Sequence, residues 1–343
     1  MAKRLVLFNH KGGVSKTTSA YNIGWQLSHE HNVLLVDADP QCNLTSLILG
    51  DRFDSYYLDD LTKNQNIKDG VSPAFLGKPI PIESVSCQSA ERAERLHLLA
   101  GHANLSEFDA ALTFAQTSNN ALATLQNLPG AFHELIRLTE ERYNIDYTII
   151  DINPSLSSVN QNLFLNSDGF VVPTNPDPFS VMAIKTLSTI LPRWKQWKSN
   201  SIDLFADSAY PLRDGVPTFC GTLIQRFNIR NGRAARPYRD NISEINQTVA
   251  DVLAGHLRKG GMMLSAASYP QSLVLHHYCL AEIPDFQGLL PKAFAAGVPV
   301  FDLEDNEIGE VGNVLDTMKE KRDMFKTVVQ SATQTIKQLL ANV

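Results

Sequence analysis

The sequence has only four cysteines, Cys42, Cys87, Cys220 and Cys279, and they are far apart. No C-x-x-C pair occurs, so neither a zinc site nor a disulfide framework is indicated, and reduced thiols are the expectation. No apolar run approaches the ~20 residues that a membrane span needs. The opening "KRLVLFN" is too short for the apolar core of a signal peptide. An excess of positive charge is also missing. Lys and Arg total 30 against 36 Asp and Glu, a formal net charge of -6. Such a chain is not a general polyanion binder, and any nucleic-acid contact must come from a local patch. These absences point to a cytoplasmic protein with no membrane partner. With 343 residues, 43% of them hydrophobic, the chain can bury a large core in one domain or two.

One more absence is local. The stretch "FNHKGGVSKTTSA", Phe8 to Ala20, has the look of a phosphate-binding loop. Yet G-x-x-x-x-G-K-[ST] anchored on Lys16 needs glycine at positions 10 and 15, where His10 and Ser15 stand. The glycines are inside the loop, as Gly12 and Gly13, and a second lysine, Lys11, precedes them.

Around this loop, short apolar runs alternate with helical periodicity, which predicts βαβ units and a mostly parallel twisted sheet flanked by helices. "RLVLFN", "NVLLVDAD", "YTIIDI", "GFVVPT" and "PTFCGTLIQRFN" read as strands, and "SLVLHHYCLAEI" offers one more. A helix opens near Lys16, with Ala20, Ile23, Gly24 and Leu27 on one face. Further helices are expected at Phe179–Ile190, at Ser243–His256 and from Val311 to the end. Two polar, turn-rich stretches, 51–94 and 195–216, interrupt the rhythm. Neither carries enough apolar residues for its own core, so 1–343 is expected to be a single α/β P-loop domain with two peripheral insertions and a C-terminal helix at 311–343.

A strand, a glycine turn and a helix N-terminus together make an anion site, because backbone N–H groups and the helix dipole both face the phosphates. Gly12 and Gly13 allow close backbone approach, with Val14 and Ser15 completing the cradle. Lys16 can reach the β/γ-phosphate oxygens, the Thr17 hydroxyl can ligate Mg²⁺, and Thr18 can donate to the α-phosphate.

"KGGVSKTT" resembles the deviant Walker A motif, K-G-G-x-[GS]-K-[ST]-[TS], of the ParA/MinD family of P-loop ATPases, and is closest to ParA-type partition ATPases. In that family the first lysine crosses a dimer interface to the partner's nucleotide, a role the resemblance gives to Lys11; a solvated surface charge is the alternative. "VDADPQCN" is similar to the family's switch I, usually D-x-D-P-Q-G-N. There the resemblance gives Asp37 a place near the metal and Asp39 the attacking water, while Cys42 replaces the usual glycine as a packing residue. "YTIIDINPSLS" is similar to switch II, usually D-x-P-P-S. By that likeness Asp151 holds Mg²⁺ through water, and Asn153, in place of proline, implies a looser switch. "GTLIQRFNIR" resembles the base-binding segment and puts Gln225 near the adenine. The Arg that usually follows the late Ile-Pro is missing from "EIPDFQGLLPKAFAAGVPVF".

Arg226, Arg230, Arg233, Arg236 and Arg239 cluster in "QRFNIRNGRAARPYRD", a DNA-phosphate patch or a solvated charge run. The C-terminal helix lacks the strongly basic polar face of a membrane anchor, so it should dock on the core or on a partner. His276-His277 reads as a structural pair within a strand. The resemblance implies slow hydrolysis of ATP to ADP and phosphate with Mg²⁺, stimulated by a partner protein. It also implies an ATP-state homodimer that partitions a plasmid or chromosome through nonspecific DNA, with nucleoid association. Two alternatives stay open. One is an ATP-controlled module that positions or regulates a non-DNA protein cargo. The other is a metabolic P-loop enzyme, against which Lys11 argues.

Overall fold

The computed structural model describes residues 1–118, 125–230 and 233–343, with the side chains of Arg230 and Arg233 outside the description. Its strands are β1 (Lys3–Leu7), β2 (Val33–Ala38), β3 (Gln88–Ala90), β4 (Ala93–Leu99), β5 (Tyr147–Ile152), β6 (Gly169–Thr174), β7 (Thr218–Gln225), β8 (Ile229–Arg230), β9 (Arg233–Ala234) and β10 (Cys279–Ile283). Eight of them form one sheet in the order β10-β7-β6-β1-β5-β2-β4-β3. All its pairings are parallel except β3 with β4. Strands buried on both faces need near-continuous apolar runs, which is why β2, β5 and β6 read so clearly. The carboxyl ends of β1, β2, β5, β6 and β7 all open on one rim, where ligands bind in doubly wound sheets.

The helix Lys16–Ser28 lies against β2, and Gly24 shows how closely. A Cβ there would meet Leu35 Cδ2 at 2.5 Å. The helix Pro178–Ser201 covers the other face, where Trp194 stacks on Phe8 with ring centroids 5.3 Å apart. The helix Gly312–Leu340 buries Phe325, Val329, Ala332, Ile336 and Leu339 against β10 and helix 16–28, so it docks on the core. Among the described residues no helix is long and apolar enough to cross a membrane.

At the opposite rim, Arg4 is 1% exposed and its guanidinium donates to both oxygens of Glu140, at 2.7 and 2.8 Å. Close by, Arg213 pairs with Asp168 at 3.0 Å, and Lys198 donates to the Leu165 carbonyl at 2.7 Å. These bonds fasten the 195–216 stretch to the far end of the sheet.

The 51–94 stretch holds the helices Phe53–Leu58 and Ile67–Phe75, and its last residues supply β3 and the start of β4, at one edge of the sheet. The 195–216 stretch begins within a helix that runs on to Ser201. His276 and His277 are not in a strand: a short helix, Gln271–Leu275, precedes them, and His277 turns the chain at φ 55°.

Candidate nucleotide-binding site

The loop after β1 turns at Gly13, whose φ of 71° suits glycine, and again at Ser15, at φ 59°. Ser15 precedes helix 16–28 without a side-chain capping bond, and no acid sits in the first turn. The first-turn N–H groups are therefore open to an anion. Cys42 repeats this geometry at φ 53° before the helix Asn43–Leu49. Both departures from glycine thus fall on left-handed backbone, which L side chains enter at a cost. The Cys42 thiol is buried and pushed up to about 12, chiefly by burial, so it packs and does not act as a nucleophile.

Gly12, Gly13, Val14, Ser15, Lys16, Thr17 and Thr18 line a cleft of about 580 Å³ together with Asp39. Lys16 is 7% exposed. Burial lowers its pKa, against the opposing pull of Asp151 and Asp39. Asp151 closes β5 beside Asp37, which closes β2 in register with it. Both are fully buried. Neither carboxylate oxygen of Asp151 has a hydrogen bond of ordinary geometry, and its pKa rises to about 8, first through burial and then through Asp37, against the opposing pull of the nearby Thr17 hydroxyl and Lys16. Asp37 rises to about 6, mainly through burial, and its oxygens are already engaged. Oδ2 accepts from the Thr45 backbone at 2.8 Å and the Thr45 hydroxyl at 2.7 Å, while Oδ1 accepts from the Asp39 backbone at 3.2 Å. Asp37 therefore ties down the turn that follows β2, and Asp151 is the less engaged of the two acids.

Three buried carboxyl groups, Asp37, Asp39 and Asp151, crowd the floor beside Lys16, and a buried carboxyl whose charge is disfavoured for want of a counter-charge is where a divalent cation fits. Thr17 and Asp151 would hold Mg²⁺, which supplies charge neutralisation at the phosphates. Asp39 has Oδ1 engaged by the Gln41 backbone at 2.9 Å, and Oδ2 has no protein donor among the described residues.

Residues 2–204, more than half of the chain, match the family model described as an AAA domain. The chain is 30% identical over 190 residues to the chromosome-partitioning ATPase Soj of Thermus thermophilus, covering 55% of this chain and 61% of that protein. The chain belongs to the ParA/MinD family of P-loop ATPases. An uncharacterized protein of Mycobacterium tuberculosis is 30% identical over 230 residues, 67% of this chain and 59% of its own length. The chain thus spans about 60% of the length of these curated relatives. In fold it is similar to Cyanothece McdA solved with ATP, at a TM-score of 0.58 and 15% identity over 96% of each chain.

Seen as a ParA/MinD chain, the site has three surprises. Gln225 does not face the cleft. It is 3% exposed, and its amide donates to Ser19 Oγ at 2.7 Å and to the Val14 carbonyl at 3.4 Å, so it braces the loop from behind. Arg226 lines the cleft instead, donating to the Gly13 carbonyl at 3.2 Å from a backbone at φ 62°. That withdraws it from the arginine patch. Arg230 and Arg233 pair across the small β8–β9 hairpin, and Arg236 and Arg239 stand exposed in the first turn of the helix Arg236–Thr248. Lastly, switch II is not slack at Asn153. The Asn160 amide donates to Asn153 O and Oδ1 and to Ser155 O and Oγ, at 2.8–3.2 Å. Phe294 and Leu47, which sequence reasoning passed over, also line the cleft.

Proposed function

We propose that this chain is a Mg²⁺-ATP-dependent, dimerising ATPase switch of ParA type that serves plasmid or chromosome partition through nonspecific DNA binding. The observation that carries the nucleotide part is the orphaned, fully buried Asp151 beside Lys16, at the uncapped start of helix 16–28. The buried Asp151 carboxyl suits a divalent cation, while Lys16 and the open first-turn N–H groups suit the phosphates that such a cation accompanies. In hydrolysis, Asp39 orients a water and accepts its proton as the water oxygen bonds to the γ-phosphorus. The bond from that phosphorus to its bridging oxygen then breaks, releasing ADP and phosphate. Lys16 and the loop N–H groups stabilise the charge that develops. Turnover is slow and awaits a stimulating partner. Lys11 would reach the second copy's nucleotide in the ATP-state homodimer.

The DNA part rests on Arg230, Arg233, Arg236 and Arg239. Arg236 and Arg239 have no ion-pair partner among the described residues. Charge should matter there and base sequence should not. Replacing Arg230, Arg233 and Arg236 with Glu should remove ATP-dependent binding to random-sequence duplex and leave basal ATPase nearly intact. Loss of nucleotide affinity in the triple variant would refute the patch. The withdrawal of Arg226 and the net charge of -6 favour a second reading, an ATP-controlled module that positions or regulates a non-DNA protein cargo. Wild-type protein that ignores duplex DNA at low salt, with and without ATP, selects it.

A further inference from the structure

The phosphate loop is gripped by its carbonyls. The Gly13 carbonyl accepts two donors, the Asn175 amide at 2.9 Å and the Arg226 guanidinium at 3.2 Å. Both lone pairs of that oxygen are then engaged. The next carbonyl, that of Val14, accepts the Gln225 amide at 3.4 Å. The N–H groups of Val14 and Ser15, in contrast, have no protein acceptor among the described residues. The three donors come from neighbouring strands. Thr174 and Ile224 are partners in the β6–β7 register, and Asn175, Gln225 and Arg226 follow directly on them. Arg226 is fixed further by its own backbone N–H, which donates to the Ile283 carbonyl of β10 at 3.0 Å.

A trans peptide points its C=O and its N–H in opposite directions, so a carbonyl held outward turns the next N–H inward. We propose that Asn175 and Arg226 are positioning residues for the phosphate loop: they hold the Gly13 carbonyl away from the cleft, so that the Val14 N–H faces a phosphate oxygen before nucleotide arrives. Gln225 does the same for the Ser15 N–H, through a longer bond to the Val14 carbonyl. Once released, the Gly13–Val14 peptide can rotate and turn a partial negative charge towards the phosphates, and the concave set of N–H groups that receives an anion is lost. This role rests on the nucleotide reading above.

Asn175→Ala and Arg226→Gln should each weaken binding of a non-hydrolysable ATP analogue roughly five-fold by calorimetry. The double variant should lose about a hundred-fold, beyond the product of the singles, because the last donor to leave frees the peptide. Side chains that acted apart, or a guanidinium that only touched phosphate, would give the simple product. Arg226→Lys keeps a donor and should recover part of the loss. In ¹⁵N-valine protein without nucleotide, the Val14 amide signal should move in both single variants while the melting temperature stays near wild type. Single variants that bind the analogue as wild type does, or a double variant at the product of the singles, overturn the proposal. Wild type that fails to bind the analogue overturns the nucleotide reading instead.

Discussion

Asp151→Asn should make the nucleotide-free protein more stable while disabling it. The carboxyl of Asp151 is fully buried with no hydrogen bond of ordinary geometry, and its pKa is moved from 3.8 to about 8, chiefly by burial. The sign follows from proton counting. Between those two values the unfolded chain has released the proton and the native chain still holds it, so native stability falls as pH rises. Asp37, displaced from 3.8 to about 6, pulls the same way over the lower part of that window. Each unit is worth about 1.4 kcal/mol, so the Asp151 penalty at pH 8 is on the order of 5 kcal/mol, an upper bound because Lys16 and Asp37 share it. An amide escapes this penalty and keeps the shape. Thermal melts without metal or nucleotide should therefore place Asp151→Asn several degrees above wild type at pH 8. The gap should close toward pH 4. Adding Mg²⁺ and ATP should raise only the wild type. A gap that does not vary with pH, or a variant that melts lower at pH 8, would refute the reasoning.

Lys16→Ala should abolish ATP binding, a loss above ~3 kcal/mol because buried phosphate charge is left unpaired; unchanged affinity by calorimetry would sink the phosphate-loop assignment. Asp39→Ala should bind ATP, hydrolyse it poorly and accumulate as dimer, and light scattering that finds only monomer with normal turnover would remove its role. Ser15→Gly should stabilise the nucleotide-free chain by about 1 kcal/mol, since φ 59° suits glycine. A urea midpoint that stays put or falls would show that the left-handed turn carries no strain.

The strands that hold the site were legible because burial on both faces forces long apolar runs, as in "YTIIDI". The loop was legible because its chemistry needs Lys16, Thr17 and the helix in sequence order. β4 was not, since "AERLHLL" sits near the sheet's rim with Glu94 and Arg95 exposed. Two consecutive charged residues point to opposite faces and break the alternation, so the β4 signal was masked at the strand's exposed start. The bonds of Gln225 to Ser19 and Val14 were not legible, because its segment's resemblance gives a position along β7 and not the face on which the side chain lands. Asn175 and Asn160 escaped for another reason. Gly13 and Asn175 are 162 positions apart, and only the sheet order brings them together. Asn153 read alone looked like a lost proline, with nothing to announce the amide seven residues on.

That amide has an arithmetic of its own. Asn160 carries two hydrogens and faces four oxygens at 2.8–3.2 Å, two on Asn153 and two on Ser155. Only two well-aligned bonds can exist at any instant. The four oxygens therefore compete for two hydrogens, and losing any one acceptor leaves the amide another within reach. The turn after β5 is thus held by one side chain that serves two residues of the loop at once.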